Sequence, residues 1–312
     1  ILEKAGVPPG VVNLVTGPGS TVGDALVSHP DVSVVSFTGS TEVGRHVYVL
    51  GAQQLKKVHL EMGGKNAIIV MDDADLDLAL DSVVWSAFGT TGQRCTAASR
   101  VIIQSGIKEE FTKRLVERVE NLRLGSGLLE TTDVGPVINR RALEKIHSYT
   151  EIAENEGATV LTGGKIWKGP GKYAGGFFYE PTIFDNVTID MRVAQEEIFG
   201  PCTSLITVDT LEEAIEVNNK VAYGLSSSIF TRNVNAAFQA MRDFDTGLVY
   251  INHGTIGAEI HLPFGGNKAT GNGHREAGIA GLDVFTEWKS IYVDYSGRLQ
   301  RAQIDTEAIV GG

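Results

Sequence analysis

Short apolar runs alternate with helical stretches of about ten residues along most of this chain, and glycine marks many of the junctions. That alternation constrains the fold more than any other feature. A helix placed between two strands cannot act as a hairpin turn, so the strands must run parallel and be joined by right-handed crossovers. Residues 10–15, 33–37 and 55–60 read as strands, a helical stretch reaches Val27, and a second helix spans 41–50. After Gly63-Gly64 the pattern resumes with a strand at 66–71. A helix follows whose Leu76, Leu80, Val83, Val84, Ala87 and Phe88 share one face, with Asp73 or Asp75 as its cap. A strand at 99–104, helices near 108–122 and 139–156, and further alternation at 202–208, 211–219, 225–230, 233–241 and 247–251 complete the series. Residues 167–176, rich in Gly and Lys, read as an exposed loop or hairpin, and 288–295 alternate like an edge strand. Such a strand must find a sheet, on its own chain or on a partner subunit.

Charge and cysteine content narrow the function classes. With 38 acidic against 27 basic residues the formal charge is −11, which argues against a nucleic-acid or anionic-membrane partner. Two cysteines, Cys95 and Cys202, exclude a disulfide scaffold and point to a reducing, cytoplasmic location. No apolar run approaches the ~18 residues of a membrane span, and no basic start followed by an apolar run suggests a signal peptide.

Four places offer chemistry. Cys95 lies in a loop beside Arg94, whose charge would lower a thiol's pKa toward a reactive thiolate; the bland alternative is a small buried hydrophobe. Cys202, which begins an apolar strand, fits that alternative. Glu61 ends a strand just before Met62-Gly63-Gly64, at the carboxyl edge of a parallel sheet, where open α/β folds bind ligands. It is either a base for the thiol or a carboxylate paired with Lys65. The run Phe37-Thr38-Gly39-Ser40-Thr41-Glu42-Val43 passes from strand through glycine into a helix start, a ready anion site. Ser40 or Thr41 adds a hydroxyl there or caps the helix. Glu197, before Ile198-Phe199-Gly200-Pro201, either contacts a ribose hydroxyl or is solvated. The stretch 17–23 approaches a dinucleotide fingerprint with one residue too many, and no Walker A loop, CxxC pair, HExxH or acidic calcium loop supports metal chemistry.

Taken in order, Phe37-Thr38-Gly39-Ser40-Thr41, Leu60-Glu61-Met62-Gly63-Gly64-Lys65, Gly92-Gln93-Arg94-Cys95, Glu197-Ile198-Phe199-Gly200-Pro201 and Pro263-Phe264-Gly265-Gly266 resemble successive motifs of the aldehyde dehydrogenase superfamily, and the likeness runs to about Val293. The resemblance implies a partial Rossmann-like cofactor-binding domain (1–64 and 270–285), an α/β catalytic domain (65–269), and a C-terminal oligomerisation strand and tail (286–312) of a dimer or tetramer. It implies NAD or NADP as cofactor and a small-molecule aldehyde as substrate. Cys95 would attack the carbonyl to form a thiohemiacetal, the nicotinamide would take the hydride to leave a thioester, and Glu61 would activate the water that hydrolyses it. Thr38, Gly39, Ser40, Thr41 and Val43 would hold the pyrophosphate. Gly63 and Glu197 would contact the cofactor, Glu197 at the nicotinamide-side ribose, and Phe199 would pack near the ring. Glu276 matches a position credited with proton relay.

A carboxylate at position 61 weighs against the branches that pass the thioester to coenzyme A. The Gly-Gln-Arg-Cys arrangement resembles the semialdehyde branches, in which the arginine binds a distal anion; Arg94, with Gly257 and Ala258 in the substrate-anchoring loop, would take that role. The family's chains carry further elements upstream of Ile1, so an amino-terminal part is expected to be missing. The region that selects NAD or NADP and one oxyanion donor would lie there. The alternative is that these 312 residues form a catalytically impaired structural or binding fragment.

Overall fold

The computed structural model describes residues 1–299, in which eleven strands and nine α-helices follow one another. In chain order these are α1 (Asp24–Ser28), β1 (Val34–Thr38), α2 (Thr41–Ala52), β2 (Lys57–Glu61), β3 (Asn66–Val70), α3 (Leu76–Phe88), β4 (Ala98–Gln104), α4 (Lys108–Glu120) and α5 (Arg140–Asn155). Then come β5 (Thr159–Thr162), β6 (Thr182–Asp185), α6 (Arg192–Gln195), β7 (Cys202–Val208), α7 (Leu211–Asn219), β8 (Tyr223–Gly224), β9 (Ser226–Phe230), α8 (Val234–Asp243), β10 (Leu248–Ile251), β11 (Asn267–Lys268) and α9 (Ala280–Phe285). The fold is mixed α/β with mostly parallel pairing, as the alternation requires.

The larger sheet has seven strands in the order β10-β9-β3-β4-β7-β6-β5. All its pairings are parallel except β5 with β6. Its central strands β3 and β9 are buried along their whole length, and β4 and β7 nearly so, because helices cover both faces. On β3, Ala67 and Ile69 enter one core with α5 and α7, through Ile146, Ala153, Ala214 and Ile215. Ile68 and Val70 point the other way, to Leu80 and Val83 of α3 and Phe111 and Leu115 of α4. The period of two along the strand therefore divides one short run between two cores.

The smaller sheet pairs β1 with β2 in parallel, and Thr38 stands opposite Glu61. Val58, Leu60 and Met62 pack with Val27 of α1 and Val47 of α2 in a separate small core. Helix ends follow the expected chemistry: Ser40, Asp75 and Asn139 each accept a backbone N–H from three residues on, and Asp75, not Asp73, caps α3.

Two expected strands do not form. Residues 10–15 have no strand pairing, and Val11, Val12, Leu14 and Val15 are exposed; among the described residues β1 pairs only with β2. Residues 288–295 are likewise unpaired, with Trp288, Tyr292 and Tyr295 almost fully exposed. An alternating or apolar run becomes a strand only when a sheet edge accepts its hydrogen bonds, and neither segment pairs with a described strand. The last residues of the expected 286–312 segment, from 300 on, lie outside the described ones. The stretch 167–176 is a loop with one short turn, pinned by a ring cluster of Trp167, Tyr173 and Phe178.

Candidate active site

The sequence-predicted residues gather where the carboxyl edge of the small sheet meets the amino edge of the large one. Thr38 and Glu61 end β1 and β2, while Asn66, Cys95 and Glu197 stand at or just before the starts of β3, β4 and β7. The four residues 62–65 bridge the two sheets, so the glycines at 63 and 64 lie at the junction itself.

Cys95 is half-buried in the loop between a 3-10 turn (Gly89–Gly92) and β4. Gly92 sets that loop: its φ is +64°, and a Cβ there would fall 2.1 Å from the Gly200 carbonyl oxygen. Asn66 fastens the other side, its amide donating to the carbonyls of Cys95 at 2.7 Å and Ala97 at 2.9 Å while its oxygen accepts from Ser226 N at 3.0 Å. Thr255 adds a third tie through its hydroxyl to the Thr96 carbonyl at 2.7 Å, bringing the 254–258 segment to the cysteine loop. The expected acidifying effect of Arg94 is not present. Burial, Glu197 and Glu61 push the Cys95 thiol up, against weaker help from backbone N–H groups. Cys202 is the buried hydrophobe expected of it, its thiol pushed up to about 12 by burial.

Glu61 is buried and makes no ion pair among the described residues; in particular it does not pair with Lys65, and its Oε2 has no partner. Burial raises its carboxyl to about 8, with the nearby Glu276 adding to the rise and Arg275 opposing it. Glu61 and Cys95 are thus close enough to feel each other electrostatically while both favour their protonated forms.

Glu197 faces the same junction. Its Oε1 accepts the Gly64 N–H at 3.0 Å, and a Cβ on Gly63 would lie 2.4 Å from its Oε2, so the Gly63-Gly64 backbone is a cradle for this carboxylate. Lys145, on α5, donates to the Glu197 carbonyl at 2.9 Å. Phe199 follows at a φ of +61° and is 41% exposed, a strained and open position for a large ring. Of the anion-site hydroxyls, Ser40 caps α2 by accepting from Val43 N, and Thr41 donates to the Ala269 carbonyl at 3.0 Å. Beside them a cavity of about 440 Å3 opens between α1 and α2, lined by Val27, Val35, Phe37, Val43 and Val47.

Arg94 is exposed, and no ion pair or hydrogen bond engages its side chain among the described residues. It borders a void of about 10 Å3 shared with Glu197, Phe199 and Cys202, whereas Gly257 and Ala258 line another cavity of about 120 Å3 with Tyr250, Leu262 and Phe264. Asn66, Lys145 and Thr255 were not singled out by sequence reasoning. Only Asn66 left a signal, being a poor strand former at the head of an apolar strand.

Comparison with known proteins decides the family. The aldehyde dehydrogenase family model matches residues 1–291. The chain belongs to the aldehyde dehydrogenase family. It is 47% identical over 291 residues to alpha-ketoglutaric semialdehyde dehydrogenase of Bacillus subtilis, covering 93% of this chain and 59% of that protein. It is 43% identical to 2,5-dioxopentanoate dehydrogenase of Saccharolobus solfataricus, covering 94% and 60%. Among solved structures, a double mutant of betaine aldehyde dehydrogenase of Staphylococcus aureus in complex with NAD+ superimposes with a TM-score of 0.92 at 37% identity, over 96% of this chain and 60% of that one. The chain thus spans about three-fifths of the length of the relatives it matches. The family uses NAD or NADP.

Proposed function

We propose that the protein oxidises an aldehyde to a carboxylic acid with reduction of NAD(P), through a thiohemiacetal and a thioester on Cys95, and that its substrate is a small semialdehyde or other anionic aldehyde. The observation that carries the reading is the meeting of Cys95, Glu61 and Glu197 at one junction, two carboxylates bearing on one half-buried thiol. The residues present fit the cofactor: the Gly63-Gly64 cradle leaves the Glu197 carboxylate aimed at the junction, and the cavity beside the start of α2 is apolar enough for a base and close enough to backbone N–H groups for a phosphate. Thr38, Gly39, Ser40, Thr41 and Val43 would hold its pyrophosphate, Gly63 and Glu197 its ribose, and Phe199 would pack near its ring. When bound, the nicotinamide supplies the two-electron acceptor. The 1–64 and 270–285 segments would form the cofactor side, 65–269 the catalytic side, and 286–312 the contact with other subunits of a homo-oligomer.

Glu61 does the proton work. Its unpartnered oxygen takes the Cys95 thiol proton as sulfur attacks the carbonyl carbon. After that proton has been released to solvent, Glu61 takes a proton from the water that attacks the thioester and returns it to the departing sulfur as the C–S bond breaks, so that the acid leaves and the thiol is restored. Asn66 and Gly92 hold the loop in place, and so keep the thiol within reach.

The charge of the substrate follows from Arg94. A guanidinium beside the nucleophile with no acidic partner among the described residues is available to a ligand carboxylate and unfavourable to a cation. The relatives include enzymes named for both kinds of aldehyde, so the point is open to experiment. Reduced-cofactor formation with 2,5-dioxopentanoate and betaine aldehyde, using both NAD and NADP, tests it. Arg94→Met should raise KM for the anionic aldehyde about tenfold or more and leave an uncharged one nearly unchanged. Equal effects on both would remove the anionic assignment.

A further inference from the structure

Strand β2 divides its side chains between its two faces. Val58, Leu60 and Met62 enter the small core with α1 and α2, so Lys57, His59 and Glu61 share the other face. The mechanism above uses Glu61 and leaves His59 without a role. His59 is 3% exposed, and neither of its ring nitrogens has a hydrogen-bond partner. A phenylalanine ring would lose no hydrogen bond there and would avoid burying two polar atoms. An imidazole brings one property that a phenyl ring lacks, the capacity to take up a proton near neutral pH.

What lies over His59 is the 270–276 loop, which runs along the edge of β2. Met62 N donates to the Thr270 carbonyl at 2.7 Å. Asn272 grips the strand backbone twice, accepting from Leu60 N at 3.1 Å and donating to the Val58 carbonyl at 2.6 Å. Two residues on, the exposed His274 lays its ring against that of His59, with centroids 3.8 Å apart. The same loop then reaches Glu61. A Cβ on Gly265 would meet Glu61 Oε1 at 2.6 Å, and Arg275 Cδ and the His274 carbonyl oxygen each at 3.0 Å, so all three surround one point. Arg275 is fixed there by donating to the Gly266 and His274 carbonyls, each at 3.0 Å, and to Asn267 Oδ1 at 2.8 Å. One loop thus carries both the contact between the two imidazoles and the guanidinium beside Glu61.

We propose that His59 and His274 form an acid-released latch: while His59 is neutral, the ring contact keeps the 270–276 loop on β2 and Arg275 beside Glu61, and when His59 takes up a proton the loop lifts. No carboxylate lies within ion-pair distance of His59 among the described residues to receive the charge. On its own strand face stand Lys57, which pairs with Glu287 at 3.7 Å, and Glu61, whose carboxyl, raised to about 8, is itself protonated below neutrality. The loop brings His274, Arg275 and Glu276, β1 sets Ser36 opposite, and α9, packed on β1, carries the exposed Asp283. Burial, then His274 and Lys57, hold the His59 pKa below its ordinary 6.5. A base lowered in this way favours the closed loop above 6.5, and that contribution is lost as pH falls through the lowered value. The charged ring must then reach water, and His274 lies over it.

The test is amide hydrogen exchange on the whole chain at single-residue resolution, corrected for the intrinsic effect of pH, in wild type, His59→Phe and His274→Asp. Leu60 and Met62, whose amides donate to the loop, report the latch, and Ile68 and Ile69 of β3 serve as reference. Between about pH 7.5 and about pH 5, wild-type protection at Leu60 and Met62 should fall about tenfold or more while β3 stays unchanged. His59→Phe should keep its protection across that range. His274→Asp, which sets a carboxylate against His59, should reverse the trend and protect more strongly at the acid end. A wild type whose protection does not fall, a fall shared by β3, or the same fall in His59→Phe would overturn the proposal. Only the consequence for turnover rests on the reading of Glu61 as the base. Below about pH 6 the wild-type rate should fall about a hundredfold per pH unit, one proton for Glu61 and one for His59, against about tenfold in His59→Phe. Exchange as expected with no change of rate would sink the reading of Glu61 and leave the latch standing.

Discussion

The carboxyl of Glu61 is raised to about 8, and that value makes the hydrolytic half of the reaction pH-dependent in a direction that can be worked out. Only the ionised form can take a proton from water. At pH 6, two units below, about 1% of Glu61 is ionised, so thioester hydrolysis should quicken about tenfold per pH unit and level off above pH 8. The cause of the shift supplies two controls. Burial cannot be altered lightly, but Glu276 adds to the rise and Arg275 opposes it. Glu276→Gln should move the inflection to lower pH, and Arg275→Met should move it higher. Glu61→Gln should also let the Cys95 thiol alkylate at lower pH, having lost one of the charges that, with burial, hold it protonated. The assay is rapid mixing: the burst of reduced cofactor reports formation of the thioester, and the steady state reports its hydrolysis. A hydrolytic rate that is flat from pH 6 to 8, or an inflection that neither substitution moves, would refute the reasoning.

Three further outcomes follow from the same geometry. Glu61→Gln should stabilise the fold at alkaline pH: a carboxyl raised from an ordinary 4.5 favours the folded state below that value, and this contribution is lost as pH rises through 8. Urea unfolding should show the gap between the variant and wild type widening from pH 5 to 9 by about 1–3 kcal/mol. Gly63→Ala would drive a methyl into the Glu197 carboxylate, so cofactor affinity should fall at least about tenfold while Cys95 still alkylates normally. Gly92→Ala meets both a φ of +64° and the Gly200 carbonyl, so turnover should fall about a hundredfold, with slowed Cys95 alkylation as the sign that the loop has moved.

What could be read in the chain depended on how local its cause was. The strand at 202–208 and the helix at 211–219 form with the bounds read from their apolar pattern, since each carries its own period and punctuation. The four-residue strands β5 and β6 offered too little pattern and went unread, and their antiparallel pairing with them. Residues 10–15 showed the reverse failure, a strand-like run with no neighbour to pair with. At the site, Cys95 stood out by its place in a loop beside Arg94, and Glu61 by its position at a strand end. The pKa of Cys95 did not, because it is set by burial and by Glu197 and Glu61, which folding brings in from elsewhere, and not by Arg94 next to it. Asn66 and Thr255 hold the cysteine loop from 29 and 159 residues away in sequence, respectively, distances over which no local pattern could signal them.

The central claim, that carbon becomes bound to Cys95 and is released by Glu61, has one direct test. The Glu61→Gln variant, incubated with NAD(P) and a semialdehyde at alkaline pH, where Cys95 can ionise without Glu61 as its base, and then quenched in acid, should carry an acyl group on the peptide containing Cys95, seen by mass spectrometry, with a matching single burst of reduced cofactor. The absence of any adduct despite the burst, or an adduct on Cys202 instead, would contradict it.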